Sequence, residues 1–515
     1  MGPEINVDSI LVLEKQISEG TGDVIKLKRA RNSLLNISTR VPPEILGYIF
    51  RWNVIPSSPY GGLQKGSYNF LLVCHHWFQV ASCTPELWSS WGNKLEQWSL
   101  RCKRSGTAPV DLTLNEYRDS NLSFDGTILD VLRGRAVRDS IRSIHLDIWD
   151  TDLLRSIIAS LTLDGEDIRY SSIESVMLEN PDLDISNFLV RYRFPKLWRL
   201  HLTTNIKTPT WGHLKLYATA LTTLSLAIEG ASPILTTPEL FSILASFPML
   251  QDLSLRGATI PRDTSDGSTL RVHLHYLKRL DLTGDCRRVF QLLRRLEYPD
   301  RLDVSLRLRE CEPEGISEFF EPYLQDRIRR DDRFKGRLGT QVKSMFGSIS
   351  FGVDFVDEFD ILADSKLIES GHTSMTFITQ FRDTLPQGAK ERYFINLIAL
   401  VPREHLVYLT WISPVDPRGL LFTMPNLERL YLMLSVVSDM FLQPDSLAHT
   451  KLFPSLRHLS MMYFDLQNGD WGSLLKSLAH LTSGGQAISL RLFGYPPIPP
   501  AVMEEIESLV ELRLE

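Results

Sequence analysis

The feature that most constrains this chain is a hexamer, apolar-x-x-apolar-x-apolar, that keeps returning from residue 141 to the C-terminus. It reads Ile141-x-x-Ile144-x-Leu146, Ile173-x-x-Val176-x-Leu178, Leu197-x-x-Leu200-x-Leu202, Leu221-x-x-Leu224-x-Leu226, Leu250-x-x-Leu253-x-Leu255 and Leu277-x-x-Leu280-x-Leu282. It resumes as Leu427-x-x-Leu430-x-Leu432, Leu456-x-x-Leu459-x-Met461 and Leu509-x-x-Leu512-x-Leu514. Side chains alternate along a strand, so the last two apolar residues of each hexamer share one face. The central residues 176, 200, 224, 253 and 280 stand 24, 24, 29 and 27 apart. A unit of that length cannot bury its apolar face alone and has to stack on the next. Leucine is common, so one hexamer means little, but nine in register specify an array. The predicted class is therefore α/β, with parallel strands on one face and helices or turns outside.

The period and pattern resemble those of leucine-rich repeats. That resemblance implies an irregular solenoid over residues 93–515, with its parallel strands on the concave face. Phe-Pro or Met-Pro precedes four hexamers, at Phe194-Pro195, Phe247-Pro248, Met424-Pro425 and Phe453-Pro454. Proline there is expected to stop the preceding helix and set the start of the strand. The asparagine that many such repeats carry after the strand is mostly absent, so a tight asparagine-ladder turn is not implied. Residues 284–400 match the template poorly. Within them, 304–308, 349–355 and 376–381 are expected as strands of degenerate repeats. Residues 326–337, DRIRRDDRFKGR, are expected as an exposed helix end and loop. Residues 110–114 are a candidate first strand.

Upstream of the array lie two apolar segments, 41–50 (VPPEILGYIF) and 71–91 (LLVCHHWFQVASCTPELWSSW). Pro42 and Pro43 suit the first turn of a helix, where amide hydrogens lack partners anyway. Ile45, Leu46, Ile49 and Phe50 then make one stripe, and Leu72, Val73, Trp77, Val80 and Ala81 a second. Thr84-Pro85 reads as the N-cap and first residue of a third helix. Three helices in about 50 residues cannot bury all this surface among themselves. Part of it must face a partner or the next domain, unless the module is an ordinary helical cap on a larger core.

The two segments together resemble an F-box, whose pattern opens with Leu-Pro-x-Glu and continues with Val-Cys-x-x-Trp in a second helix. Val41-Pro42-Pro43-Glu44 and Val73-Cys74-His75-His76-Trp77 stand at those places. Thr84-Pro85-Glu86-Leu87-Trp88-Ser89-Ser90 is similar to the tail of F-box proteins with leucine-rich repeats from mushroom-forming (basidiomycete) fungi. Two departures are Val41 in place of leucine, one methylene fewer in an apolar contact and a loss of about 1 kcal/mol, and a longer gap over 52–68. Pro56, Ser57, Ser58, Pro59, Gly61 and Gly62 make that gap a loop, which lengthens at small entropic cost. The division read from the chain is 1–36, a helical segment; 37–92, the F-box; and 93–515, the repeats.

Composition limits the function classes. With 43% hydrophobic and 23% charged residues the chain reads as soluble and globular, and a formal net charge of −6 gives no global pull toward nucleic acid or anionic lipid. Five scattered cysteines, Cys74, Cys83, Cys102, Cys286 and Cys311, make no disulfide framework and fit a reducing compartment. Residues 1–9 lack an apolar signal core, and no apolar run approaches the ~20 residues of a membrane span. A cytoplasmic or nuclear location, or both, is expected. Residues 8–36 read as one or two helices, with Lys26, Lys28, Arg29 and Arg31 on a solvated face or in a nuclear-import patch.

No catalytic motif is present: no phosphate loop, no dinucleotide fingerprint, no nucleophile elbow and no HExxH. An enzyme is not expected, nor is a cofactor. Cys74, His75, His76 and Cys83 do not fit a common zinc spacing, since adjacent helical histidines point ~100° apart. Asp354, Asp357, Glu358, Asp360 and Asp364 lack the ligand spacing of a calcium loop and read as a solvated face. Arg287, Arg288, Arg294 and Arg295 share one helix side, either an outer solvated face or an anion site.

What the F-box resemblance implies is a substrate-receptor subunit of an SCF-type cullin–RING ubiquitin ligase, serving ubiquitin-dependent degradation. Its implied docking residues for the Skp-family adaptor are Pro42, Glu44, Ile45, Leu46, Ile49, Phe50, Leu72, Val73 and Trp77. Cullin and RING subunits would follow through the adaptor, and no nucleic acid or membrane is implied. The target protein would meet the x residues beside the strand leucines: Arg199, His201, Asp252, Arg256, Arg279, Asp281, Arg429, Tyr431 and His458. The alternatives are an F-box protein that binds the adaptor outside the ligase, or a plain repeat scaffold.

Overall fold

The computed structural model describes residues 41–54, 69–92, 97–116, 126–161, 168–169, 172–180, 192–204, 214, 220–228, 236–257, 259–261, 271–311, 313–330, 338–345, 348–355, 375–381, 401, 403–412, 424–433, 454–462, 471–482, 487–493 and 498–514, with scattered positions between 12 and 31. The expected N-terminal helices, the 55–68 loop and the acidic cluster beyond residue 355 fall largely outside them. The chain divides into two compact units, Met1–Leu221 and Thr222–Glu515.

The first unit opens with helices α1 (Pro43–Val54) and α2 (His75–Ser82), then a single 3-10 turn, Pro85–Trp88. The expected third helix is thus one turn long, and Thr84 does not cap it. Its hydroxyl donates back to the Val80 carbonyl at 2.8 Å, closing the end of α2 instead. Strand β1 (Ser90–Trp91) follows, then α3 (Trp98–Ser105) and β2 (Val110–Asn115). The candidate first strand is therefore second in line. Helices α4 (Gly126–Arg133) and α5 (Arg135–Ser140) lead to β3 (Ile141–Asp147) and α6 (Thr151–Leu161), then β4 (Ser175–Glu179) and β5 (Arg199–Thr204).

Strands β1 to β5 pair in sequence order, all parallel. The register stacks Leu112, Ile144, Val176 and Leu200 in one row and Leu114, Leu146, Leu178 and Leu202 in the next. None is more than 3% exposed, so each contributes about 1.5–3 kcal/mol of burial. This is the row structure the hexamers demand. Asn180, fully buried after β4, donates to the Ile148 carbonyl at 2.5 Å and so performs across one repeat the turn-closing role whose residue is scarce in the sequence.

The second unit repeats the plan with β6 (Thr223–Ile228), α7 (Thr237–Leu244), β7 (Asp252–Gly257), β8 (Arg279–Asp285), α8 (Cys286–Arg295), β9 (Asp303–Cys311) and α9 (Pro313–Arg330). Strands β6 to β9 are parallel neighbours, and Leu226, Leu255, Leu282 and Leu306 form a fully buried row. Gly257 ends β7 at φ +68°, where a Cβ would come within 2.3 Å of the Ile228 carbonyl oxygen, so only glycine fits.

Beyond β9 the plan breaks. Strands β10 (Leu338–Met345), β11 (Ser348–Phe355) and β12 (Met375–Phe381) enter in the spatial order β9–β12–β11–β10. The β11 strand is antiparallel to both neighbours, so residues 349–355 are a strand, as expected, but one that reverses direction. The parallel ladder then resumes with β13 (Leu406–Ile412), β14 (Arg429–Met433), β15 (His458–Met462), β16 (Ser489–Phe493) and β17 (Glu511–Leu514), helices α10 (Trp471–Thr482) and α11 (Pro500–Leu509) preceding the last two.

Two local expectations are refined. Three of the Phe-Pro and Met-Pro pairs make turns, the one at Phe247-Pro248 following the end of α7, while Phe453 lies outside the described residues. Leu197, Leu250 and Leu427 donate their amides to Phe194, Phe247 and Met424 at 3.1, 3.2 and 3.4 Å, with proline second in each turn. The buried Phe194, Phe247 and Met424 anchor these turns to the core. In the basic stretch 326–337 the end of α9 at Arg330 is the exposed helix end expected, with Arg327 as the exception. Arg327 is fully buried and donates to the Leu302 carbonyl at 2.6 Å, holding the chain just before β9. Residues 331–337 lie outside the described part.

Candidate functional site

The helical module has its own core of Leu46, Phe50, Phe70, Val80, Ala81, Leu87 and Trp88. Phe50 stacks on Phe70 with centroids 4.5 Å apart and meets Trp77 at 5.1 Å. The Trp88 indole donates to the Ala81 carbonyl at 2.8 Å, tying the 3-10 turn to α2. Arg104 covers the Trp88 ring at 4.2 Å, a cation–π contact that closes the far side.

Helix geometry splits the stripe that the sequence presents as one. Leu46 and Phe50 point inward and are 2% and 0% exposed, whereas Ile45 and Ile49 point outward at 48% and 43%. Leu72 at 86% and Val73 at 53% are also uncovered, while Trp77 packs half-buried against the core. Pro42 and Glu44 are exposed at the start of α1. Among the implied docking residues, Ile45, Ile49, Leu72 and Val73 are therefore the apolar side chains free to meet a partner.

The exposed surface of α1 also carries Tyr48, Arg51 and Trp52. These three line a cavity of about 830 Å³ in the first unit, together with Arg142, His145, Trp198 and Arg199 from the polar side of the strands. Its carboxylates are Glu86, Asp111 and Glu174. Arg142 bridges Asp111 through two bonds of 3.1 and 2.6 Å, and that carboxylate raises the guanidinium's pKa. Deeper on the same face Glu179 lies 3.6 Å from His201 and 4.0 Å from His145. Asp147 accepts from Asn115 at 2.8 Å; burial, with the charge of Glu116 beside it, holds its pKa above the usual carboxylate range.

The residues predicted to meet a target fall into separate groups. Arg199 and His201 belong to the first unit. In the second, Asp252 and Arg256 on β7 adjoin Arg279 and Asp281 on β8. Arg256 donates to Asp281 at 2.8 Å, and Arg279 lies 3.8 Å from Asp252. Five strands separate β8 from β14, where Arg429 pairs in register with His458 of β15. Tyr431, expected at the surface, is 6% exposed, its ring 6.4 Å from Phe493. The hexamer rule applied to the first two repeats would have named His145 and Met177; Trp52, Arg51 and Trp198 carry no such signal.

On α8 the buried side is Val289, Phe290, Leu292 and Leu293, and Arg287 and Arg294 are exposed, as an outer helix requires. Among the described residues no three of His, Cys, Asp and Glu converge as metal ligands, and no helix is long and apolar enough to cross a membrane. Neither a scan against protein-family models nor a search of curated proteins returns a match.

Proposed function

We propose that this chain is a substrate-receptor subunit of an SCF-type cullin–RING ubiquitin ligase. In this reading the α1–α2 module is an F-box that docks on a Skp-family adaptor, and the strand array is a leucine-rich-repeat domain that holds a target protein. The observation that carries it is the apolar surface left on a module that already has a filled core. Ile45, Ile49, Leu72 and Val73 lie outside that core, three of them about half exposed and Leu72 almost wholly so. Covering such side chains is worth about 1.5–3 kcal/mol each. The chain itself does no chemistry; it acts by bringing a target within reach of the ubiquitin-charged enzyme.

The test uses the full chain with Ile45→Asp and Ile49→Asp, both at exposed positions, so each moves stability by less than about 0.5 kcal/mol. Co-purification should recover adaptor and cullin with the parent chain, and the double variant should lose at least about a hundredfold in adaptor affinity. Adaptor without cullin would place the protein outside the ligase. A folded double variant that binds the adaptor undiminished would overturn the F-box reading.

A further inference from the structure

We propose that the cavity of the first unit seats an acidic peptide segment of the target, one that sets a carboxylate or phosphate beside an aromatic or large aliphatic side chain. The proposal rests on the substrate-receptor reading for the source of the peptide, but not for the chemistry of the site. The cavity's volume, about 830 Å³, is within the roughly 300–1,000 Å³ of ligand-binding clefts. Tyr48, Trp52 and Trp198 are 57%, 76% and 41% exposed, and all three turn toward this one concavity. Tryptophan, tyrosine and arginine are the residue types that dominate binding energy.

The charges choose the ligand. Arg142 is committed to Asp111, and Glu174 acts on the same guanidinium. Arg51 and Arg199 form no ion pair among the described residues; Arg51 lies 5.8 Å over the Tyr48 ring. A planar guanidinium with open donors takes a carboxylate or phosphate through paired hydrogen bonds. A basic peptide would face Arg51 and Arg199 and find only Glu86 among the lining carboxylates outside the Arg142 cluster, so it is disfavoured. On helix α1 the two tasks adjoin. At ~100° per residue Tyr48 and Arg51 lie ~60° and ~120° from Ile45, and Trp52 only ~20° from it, but neither isoleucine lines the cavity.

The experiment pans the full-length chain, without adaptor, against random twelve-residue peptides displayed on phage, then measures the selected peptides by fluorescence anisotropy. Peptides pairing Asp or Glu with Phe, Trp or Leu should be enriched. Arg199→Glu should weaken them by about tenfold or more, in a salt-dependent way, and Arg199→Gln by less. Trp198→Ala should weaken them at every salt concentration. Replacing the selected Glu with phosphoserine separates a carboxylate site from a phosphate site. No enrichment, enrichment of basic peptides, or unchanged affinity for both folded Arg199 variants overturns the proposal. Adaptor binding is read on the same proteins: peptide capture without adaptor binding leaves the cavity standing and removes the F-box reading, and the reverse removes only the cavity.

Discussion

Arg199 in the first unit and Arg256 in the second both flank a strand leucine on the polar face, Arg199 before Leu200 and Arg256 after Leu255, and they are in opposite electrostatic states. Arg199 lines an open cavity without an ion pair among the described residues. Arg256 is joined to Asp281 at 2.8 Å, and its neighbour Arg279 lies 3.8 Å from Asp252. The hexamer sets which face a side chain takes. The side chains within reach on the next strand set whether its charge is still available: Arg256 reaches diagonally to Asp281 of β8, which is in register with Ser254, whereas for Arg199 the β4 residue in register is Ser175. Arginines on the polar face of the sheet are thus not interchangeable candidates for target contact; some of them hold the sheet together.

The largest effect that could break this comparison is on stability. Arg256→Glu puts two carboxylates side by side in a half-buried place, side chains 38% and 24% exposed, and should destabilise the fold by about 2 kcal/mol, between the exposed and buried ranges for ion pairs. Adding Asp281→Arg should recover most of it, and Arg199→Glu should move stability by less than about 0.5 kcal/mol. Urea denaturation measures all three, and equal losses for Arg199→Glu and Arg256→Glu would erase the distinction.

An intermediate effect belongs to Arg142 and Asp111, paired bidentately but with side chains 43% and 32% exposed. A double-mutant cycle to alanine should give a coupling of about 1 kcal/mol, falling with salt. A coupling near zero would return Arg142 to the set of arginines open to a ligand and would widen the cavity's positive charge.

The smallest effect is that of Asp147. Burial holds its folded pKa above the ordinary value, so the folded state binds the proton more tightly than the unfolded one. Ionisation at neutral pH therefore disfavours the fold, and stability rises as pH falls through the folded pKa toward the usual ~3.9. Asp147→Asn should stabilise the protein at pH 7 by less than about 1 kcal/mol, since the site is partly exposed. The advantage should vanish below the ordinary carboxylate pKa, as thermal melts at both pH values would show. A gain that persists at low pH would assign the effect to packing.

Much of the array was legible because its signal is local and repeated. Every residue of the two buried rows in the first unit stands at a hexamer position or, as Leu112 and Leu114 do, in the candidate strand 110–114, and all are core. The reversed strand β11 was not legible, since Ile349 and Phe351 alternate equally well in a parallel or an antiparallel strand. The α1 stripe was half legible: four apolar residues spaced for a helix predict a wet–dry boundary but not which pair is inside, and Phe70, from beyond the 55–68 loop, decides it by stacking on Phe50. The cavity was least legible, because Arg142 and Trp198, although both second in their hexamers, meet Tyr48, Arg51 and Trp52 from a distant helix outside the array.

By itself, then, the amino-acid sequence determined the α/β class, the parallel strands and the residues that line their buried face, because period and alternation are properties of a backbone repeated along one direction. Tertiary structure alone decided which outward side chains remain available. Whether Arg199 is open and Arg256 closed, or Ile45 wet and Leu46 dry, depends on a neighbour some 25 residues or more away in the chain, brought near by the fold. Electrostatic pairing and burial act through space over a few ångströms, and no pattern read along the chain encodes that distance.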